Sequence, residues 1–371
     1  CGSDYEIKGK LPDVDPGDIT ECEFTPITGT KISRYDCNPV FPNDPNDTVE
    51  SVGFHVTEVL GHPFYQMWFG NGNGLDYAVS DNGTNWEKND KSPMITPDVG
   101  SWDADAVAGQ VVVWDPIDNQ YVMSYQGYSL GNASIAEDDQ WGIGIITSPN
   151  GVDWTKHPNN PVLDFTDYQL SEDDYFNWLL GQEPSVKMSP CWPLTITLTD
   201  RGAFRGYVAG KDSIAELEGS LIGQYAPCNI YSMDALAIDN WSINDSQPIL
   251  ALTPNSHEGG GVASAAIVEF EDIMYMFYVA FETWEESPTY EGVIIGVNTS
   301  LNLATSTDGG NTWMKDPNNP LSVNLTTPGE LSSVGAQVIG SRIHFWLTDN
   351  YEGSSGVGYF YYEPTLDGNH P

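Results

Sequence analysis

Ser148-Pro149-Asn150-Gly151-Val152-Asp153-Trp154, followed by Asn160-Pro161-Val162-Leu163, is the stretch from which the rest of the chain can be laid out. A polar turn ends on a tryptophan, and a proline backed by an aliphatic residue follows seven positions later. The pattern returns as Ser80-Asp81-Asn82-Gly83-Thr84-Asn85-Trp86 with Pro93-Met94-Ile95, and as Ser306-Thr307-Asp308-Gly309-Gly310 before Trp313 with Pro320-Leu321. A degenerate copy has Asp234 and Asp239 ahead of Trp241, then Pro248-Ile249-Leu250. The four tryptophans lie 68, 87 and 72 residues apart. Such intervals are too long for a helical solenoid repeat and suit a module of four strands with loops of varying length, one blade of a β-propeller.

In these turns the short polar side chain can bond its own backbone, and the glycine accepts a positive φ. The tryptophan can then pack between neighbouring sheets while its indole N–H finds a partner. The motif is therefore read as structural, with no direct part in catalysis.

At 371 residues the chain could form two or three ordinary domains, but a repeat near 70 residues makes one closed array more economical. Nineteen Tyr, 13 Phe and 12 Trp with 37 Gly favour sheets joined by tight turns over helix bundles. Thirteen Lys and Arg face 53 Asp and Glu, a formal charge of -40. A phosphate backbone would be repelled by it, so nucleic acid is not an expected partner. No run of about 18 apolar residues occurs, so no membrane-spanning helix is expected.

The chain in order gives one propeller. Residues 1–36 read as a tether with a closing strand near Thr30–Arg34. Cys37-Asn38-Pro39-Val40 repeats the tails Asn160-Pro161-Val162 and Asn319-Pro320-Leu321, and so looks like the end of a fifth blade whose beginning is missing at this end. The C-terminal residues 330–363 would supply it. The expected fold is all-β: a five-bladed propeller over 37–363 with four-stranded antiparallel blades, its ring closed by strands from both termini so that no sheet edge is exposed. The blades fall at about 50–95, 101–163, 182–250, 262–321 and 330–363, with 364–371 as a tail. Blade three is preceded by an insertion, Asp164–Glu183, of a length that usually marks a functional rim. Within it Tyr175, Phe176, Trp178, Leu179 and Leu180 suit a short amphipathic helix or a lid.

Of the five cysteines, the four at 22, 37, 191 and 228 read as two disulfides in an exported protein. Three pairings are open; Cys22 with Cys37 and Cys191 with Cys228 is the expected one. They are too scattered for a zinc site. Cys1, followed by Gly2, Ser3 and Asp4, resembles the processed start of a bacterial lipoprotein, which would put lipid on Cys1 as the sole membrane attachment. The expected location is the periplasm, the cell surface or the extracellular space.

The Ser148–Trp154 turn with its Asn160–Leu163 tail resembles the blade ending of five-bladed propeller glycosidases and glycoside phosphorylases: the arabinanase/β-xylosidase, invertase-like and mannoside-phosphorylase groups. The likeness covers most of residues 38–362. Similar turns also occur in sialidases and noncatalytic propellers. It implies action on a carbohydrate. A sialidase would need clustered arginines, and only Arg34, Arg201, Arg205 and Arg342 exist. A phosphorylase would need a basic phosphate pocket, which so few cations disfavour.

Glycoside hydrolysis uses one carboxyl group as acid and another as base or nucleophile. A propeller gathers such groups if each inner strand begins with one. In the resembling hydrolases these acids are an Asp at the first blade, an Asp at the second and a Glu at the third. By position, the general acid is Glu183, in Gly181-Gln182-Glu183-Pro184-Ser185. Asp103 or Asp105, in Ser101-Trp102-Asp103-Ala104-Asp105, would orient it or tune its pKa, and Asp47 or Glu50 would be the base. The family's first-blade acid stands directly before the inner strand, and Asp44-Pro45 only approximates that motif. Glu258 and Glu330 suit rim charges or acceptors for sugar hydroxyls, and His257 could line the funnel. Trp102, Trp178 and Trp284 are candidate sugar platforms that fit equally well as packing between blades. No organic cofactor is expected, and an acidic central channel could hold Ca2+. The rival reading is a noncatalytic carbohydrate-binding or scaffold propeller, because 53 acidic residues would place a carboxylate in many loops regardless.

Overall fold

The described strands of the computed structural model fall into five antiparallel sheets. It describes residues 22–364 except 42–48, 50, 60–61, 72–73, 130–139, 169, 200–202, 223–225, 245, 287–293, 324–330 and 352–353. Blade one contains Ser51–Val59, His62–Gly70, Leu75–Ser80 and Glu87–Lys88; blade two contains Ala106–Asp115, Gln120–Ser129, Gln140–Ser148 and Thr155–Lys156, with Leu163–Asp164 added to its third strand. Blade three runs Met188–Leu198, Phe204–Asp212, Asn229–Ala237 and Asn240–Asn244, and blade four Gly261–Phe270, Ile273–Glu286, Ile294–Ser306 and Met314–Lys315. Blade five has Ser333–Ile339, Arg342–Tyr351 and Ser354–Tyr362, completed from the other end of the chain by Ile32–Tyr35 and then Phe24–Pro26. The fold is thus the expected five-bladed propeller, and the N-terminal contribution is two strands instead of one.

The second strand of each blade is covered on both faces, which is why its sequence does not alternate. From Met276 to Phe281 every residue is buried. The apolar side chains form five clusters, each shared by two neighbouring blades. The core is therefore a ring of inter-blade layers, and every blade needs both of its neighbours.

Hydrogen bonds between inner strands reinforce the ring. Val334 N–H donates to Ser264 Oγ at 3.2 Å, Val52 N–H to Ser333 Oγ at 3.2 Å, and Gln110 Nε2 to Ser51 O at 3.1 Å. Ser264 and Gln110 both lie at register shifts of their strands, where a bulge re-aims the side chain toward the next blade.

The turns behave as their composition dictates. Ser80, Ser148 and Ser306 accept the N–H of Gly83, Gly151 and Gly310, whose φ angles are 76°, 76° and 81°. Trp86, Trp154 and Trp313 each donate the indole N–H to the carbonyl of that same glycine, at 3.1, 3.0 and 3.2 Å. In the degenerate copy Trp241 reaches Ile238 O at 2.9 Å, so the tryptophan keeps its role after the glycine turn is lost. Trp68 of blade one also donates to Gly151 O of blade two at 2.8 Å, tying neighbouring blades through the turn. Both disulfides are those expected, Cys22–Cys37 and Cys191–Cys228.

Candidate functional site

Each inner strand packs against the next around the ring. Because the strands alternate in direction, the starts of the inner strands and the ends of the second strands share one rim. Asp105, Glu183 and Glu258 all stand shortly before an inner strand on that rim.

Asp103 and Asp105, two residues apart, have opposite environments. Asp105 is exposed, with its backbone N–H donating to Tyr128 O at 3.1 Å. Asp103 is fully buried, and its Oδ2 accepts from Lys156 Nζ at 2.7 Å and Tyr125 Oη at 3.0 Å. Its Oδ1 is buried without a hydrogen-bond partner. Lys156 also binds Asp98 at 2.8 Å and Thr96 O at 3.3 Å, so one ammonium group gathers the loop that leads into Asp105.

Glu258 repeats this arrangement in blade four. It is 2% exposed, receives the Lys315 ammonium and the Thr253 N–H on Oε1, and takes the Tyr278 hydroxyl at 3.0 Å on Oε2. Burial pushes its carboxyl up, but Lys315 and Thr253 outweigh that and hold it below the usual range. Burial and the adjacent carboxylate raise both tyrosine hydroxyls far above their ordinary value, Tyr278 beside Glu258 and Tyr125 beside Asp103. In blade one Lys88 binds the buried Asp76 at 2.8 Å. The three lysines each stand two residues after a turn tryptophan, in Trp86-Glu87-Lys88, Trp154-Thr155-Lys156 and Trp313-Met314-Lys315. Asp103 and Glu258 are therefore inside the blades as partners of these lysines. The recurrent Trp-x-Lys was the sequence signal that identifies them.

Glu183 is exposed on the loop between helix Glu172–Leu179 and the inner strand of blade three. That helix lies within the segment expected to be helical or a lid, and a capping box of Ser171 and Asp174 begins it. Asp174, which the sequence reading passed over, is buried. Its carboxylate accepts from Ser171 N–H at 2.9 Å and Ser171 Oγ at 2.6 Å, then from Ser185 N–H at 2.5 Å and Ser185 Oγ at 3.0 Å. Those bonds, Ser171's hydroxyl first, hold the Asp174 carboxyl well below the usual range. The pattern Ser171-x-x-Asp174 ahead of an apolar run could have disclosed it.

Of the aromatic candidates, Trp102 is 8% exposed and lies 5.7 Å from the Tyr125 ring, with Gly127 against its indole. It serves packing between strands and has no open face for a sugar. Trp178 is half-buried on the helix, 6.4 Å from the Tyr175 ring. Trp284, also half-buried, stands edge-on to Phe281 at 4.6 Å, with Lys211 Nζ 5.9 Å over its ring. His257 Nε2 is 2.9 Å from Asn302 Oδ1. Cys1, Asp44, Asp47, Glu50 and Glu330 lie outside the described residues. Among the described residues no group of three His, Cys, Asp or Glu side chains is arranged to hold a metal, and no helix is long and apolar enough to cross a membrane.

By sequence the chain matches no family profile and no curated protein. By structure it is similar to a glycoside hydrolase at TM-score 0.56 and 13% identity, covering 89% of this chain and 92% of the other. An endo-arabinase from Bacteroides thetaiotaomicron is similar at TM-score 0.53 and 12% identity, over 88% and 98%. A thermostable family-43 glycoside hydrolase gives TM-score 0.52 and 15% identity, over 85% and 90%. The chain has the five-bladed fold of these enzymes.

Proposed function

We propose that this protein is an exported glycoside hydrolase acting on an oligosaccharide or polysaccharide at the rim where the inner strands begin. The observation that carries the reading is the sorting of the carboxylates. Asp103 and Glu258 are consumed by internal ion pairs, whereas Asp105 and Glu183 are exposed directly ahead of adjacent inner strands. Glu183 is the general acid that protonates the leaving oxygen. Asp105 orients it and tunes its proton affinity, and the base comes from the first-blade segment containing Asp47 and Glu50. Such carboxylate chemistry requires neither metal nor organic cofactor. The two disulfides favour an oxidising compartment, and lipid on Cys1 would hold the protein at a membrane surface.

The experiment is cleavage of a broad panel of plant and algal oligosaccharides by the wild type and by Glu183→Gln. Activity abolished by that change, with folding retained, supports the reading. The second reading, a carbohydrate-binding propeller, draws on the exposed Phe176, Leu179 and Leu180 beside the same rim. Binding of a glycan without cleavage of any would favour it.

A further inference from the structure

Resting on the reading of Glu183 as the acid, we infer that Asp174 is its positioning residue, a clamp joining helix Glu172–Leu179 to the loop that presents it. Glu183 itself is exposed, and no contact of its own side chain explains how a rim loop would hold a carboxyl group in one place. Two residues later Ser185 gives both its N–H and its hydroxyl to Asp174. Pro184 stands between them and limits the backbone's freedom on that short path. Asp174 is in turn fixed by Ser171 through the capping box, and a buried carboxylate with four donors has little freedom to move. The helix is thus rigidly coupled to the acid's loop although none of its residues needs to touch substrate.

This arrangement separates two roles that substitution can resolve. An acid held in place by a clamp should lose turnover, with substrate affinity kept, when the clamp is released. The test uses the full chain with Asp174→Asn and Ser185→Ala; Ser185 is exposed, so its change leaves the fold intact and covers the case in which Asp174→Asn fails to fold. Hydrogen exchange of the segment 181–187 is measured together with kcat and KM on the unactivated α-1,5-arabinotriose, β-1,4-xylotriose and β-1,3-galactotriose, whose leaving sugar needs protonation. The expected result is exchange at least ~10-fold faster at the Ser185 amide and kcat reduced about 10- to 100-fold, with KM changed less than about threefold. Unchanged exchange in both variants overturns the clamp, as does a kcat that stays at the wild-type value. If the wild type cleaves no glycoside yet exchange accelerates, the clamp stands and the hydrolase reading is the one that falls.

Discussion

Asn38 and Tyr359 hold each other through both halves of an amide: Tyr359 N–H donates to Asn38 Oδ1 at 2.8 Å, and Asn38 Nδ2 donates to Tyr359 O at 3.2 Å. Asn160 clasps Ile145 and Asn319 clasps Leu303 in the same way. In each case the asparagine satisfies the third-strand residue next to the last one paired with the outer strand, namely beside Phe360, Ile146 and Ala304. The Asn38 clasp differs in joining the two ends of the chain, and Val40 extends it with an N–H to Val357 O at 2.8 Å. Asn38→Ala should cost about 1–3 kcal/mol, because two backbone groups lose their partners. Asn319→Ala should cost less, since Leu303 O keeps the Asp316 N–H at 2.9 Å and only the Leu303 N–H loses its partner. Chemical unfolding measures both, and a loss under about 0.5 kcal/mol would show that water replaces the clasp.

Breaking a lysine–carboxylate pair should be more damaging than removing it. Lys315→Met leaves Glu258 buried without its cation, at a cost of about 3–5 kcal/mol. Adding Glu258→Gln to that variant should recover most of the loss, since no charge then remains inside. Equal stability of the single and double variants would mean that Glu258 is solvated in solution.

The disulfides should stabilise unequally. Cys191–Cys228 spans 37 residues and Cys22–Cys37 spans 15. Loop-closure entropy then gives roughly 4 and 3 kcal/mol for the two. Paired Cys→Ser variants, unfolded without reductant, test the order. The smaller loop should also have the more local effect, because it only closes the N-terminal hairpin of Phe24–Pro26 and Ile32–Tyr35 on itself.

Acid should weaken the fold in part through two histidines. Burial holds His55 at about 4 and, with help from the nearby Arg342 charge, His344 at about 4 as well, against 6.5 for an unfolded histidine. Between those values the unfolded chain binds protons that the native chain refuses, so stability falls as pH drops from 6.5 towards 4. Each histidine contributes at most about 1.4 kcal/mol per pH unit across that window. The double variant His55→Gln/His344→Gln should flatten the stability–pH curve there. An unaltered slope would place the titrating groups elsewhere.

The repeat was readable because a turn, a tryptophan and a proline obey local rules. Ser148, Gly151 and Trp154 satisfy one another within seven residues, so their purpose is visible in the sequence. Ring closure was readable for the same reason, from Asn38-Pro39-Val40 lacking the blade that should precede it. The fates of Asp103 and Asp105 were not, because what separates them is Lys156, more than fifty residues away. Glu258 likewise owes its burial to Lys315 on the last strand of its blade. A charged residue's role depends on which charge the fold brings to it. Only a recurrence such as Trp-x-Lys makes that partner legible in advance. Helix Ser213–Ile222 was also unforeseen, since it follows a strand without interruption and has no signature of its own beyond Asp212 accepting the Ala215 N–H.

The exposed and the internally paired carboxylates should respond differently to substitution. Glu183→Gln should lower kcat by about 10²–10⁴ on natural glycosides, as loss of a general acid does. The deficit should shrink on aryl glycosides with a good leaving group, which departs without protonation. On that reading Asp105→Asn should lower kcat and move the alkaline limb of the pH profile to lower pH, since without the neighbouring negative charge Glu183 gives up its proton more easily. Asp103→Asn should leave that profile unmoved and instead lower the unfolding midpoint, because its carboxylate answers to Lys156 inside the blade. A reversal, with Asp103 controlling the profile and Asp105 only stability, would mean that the loop rearranges on binding substrate and exchanges the two aspartates.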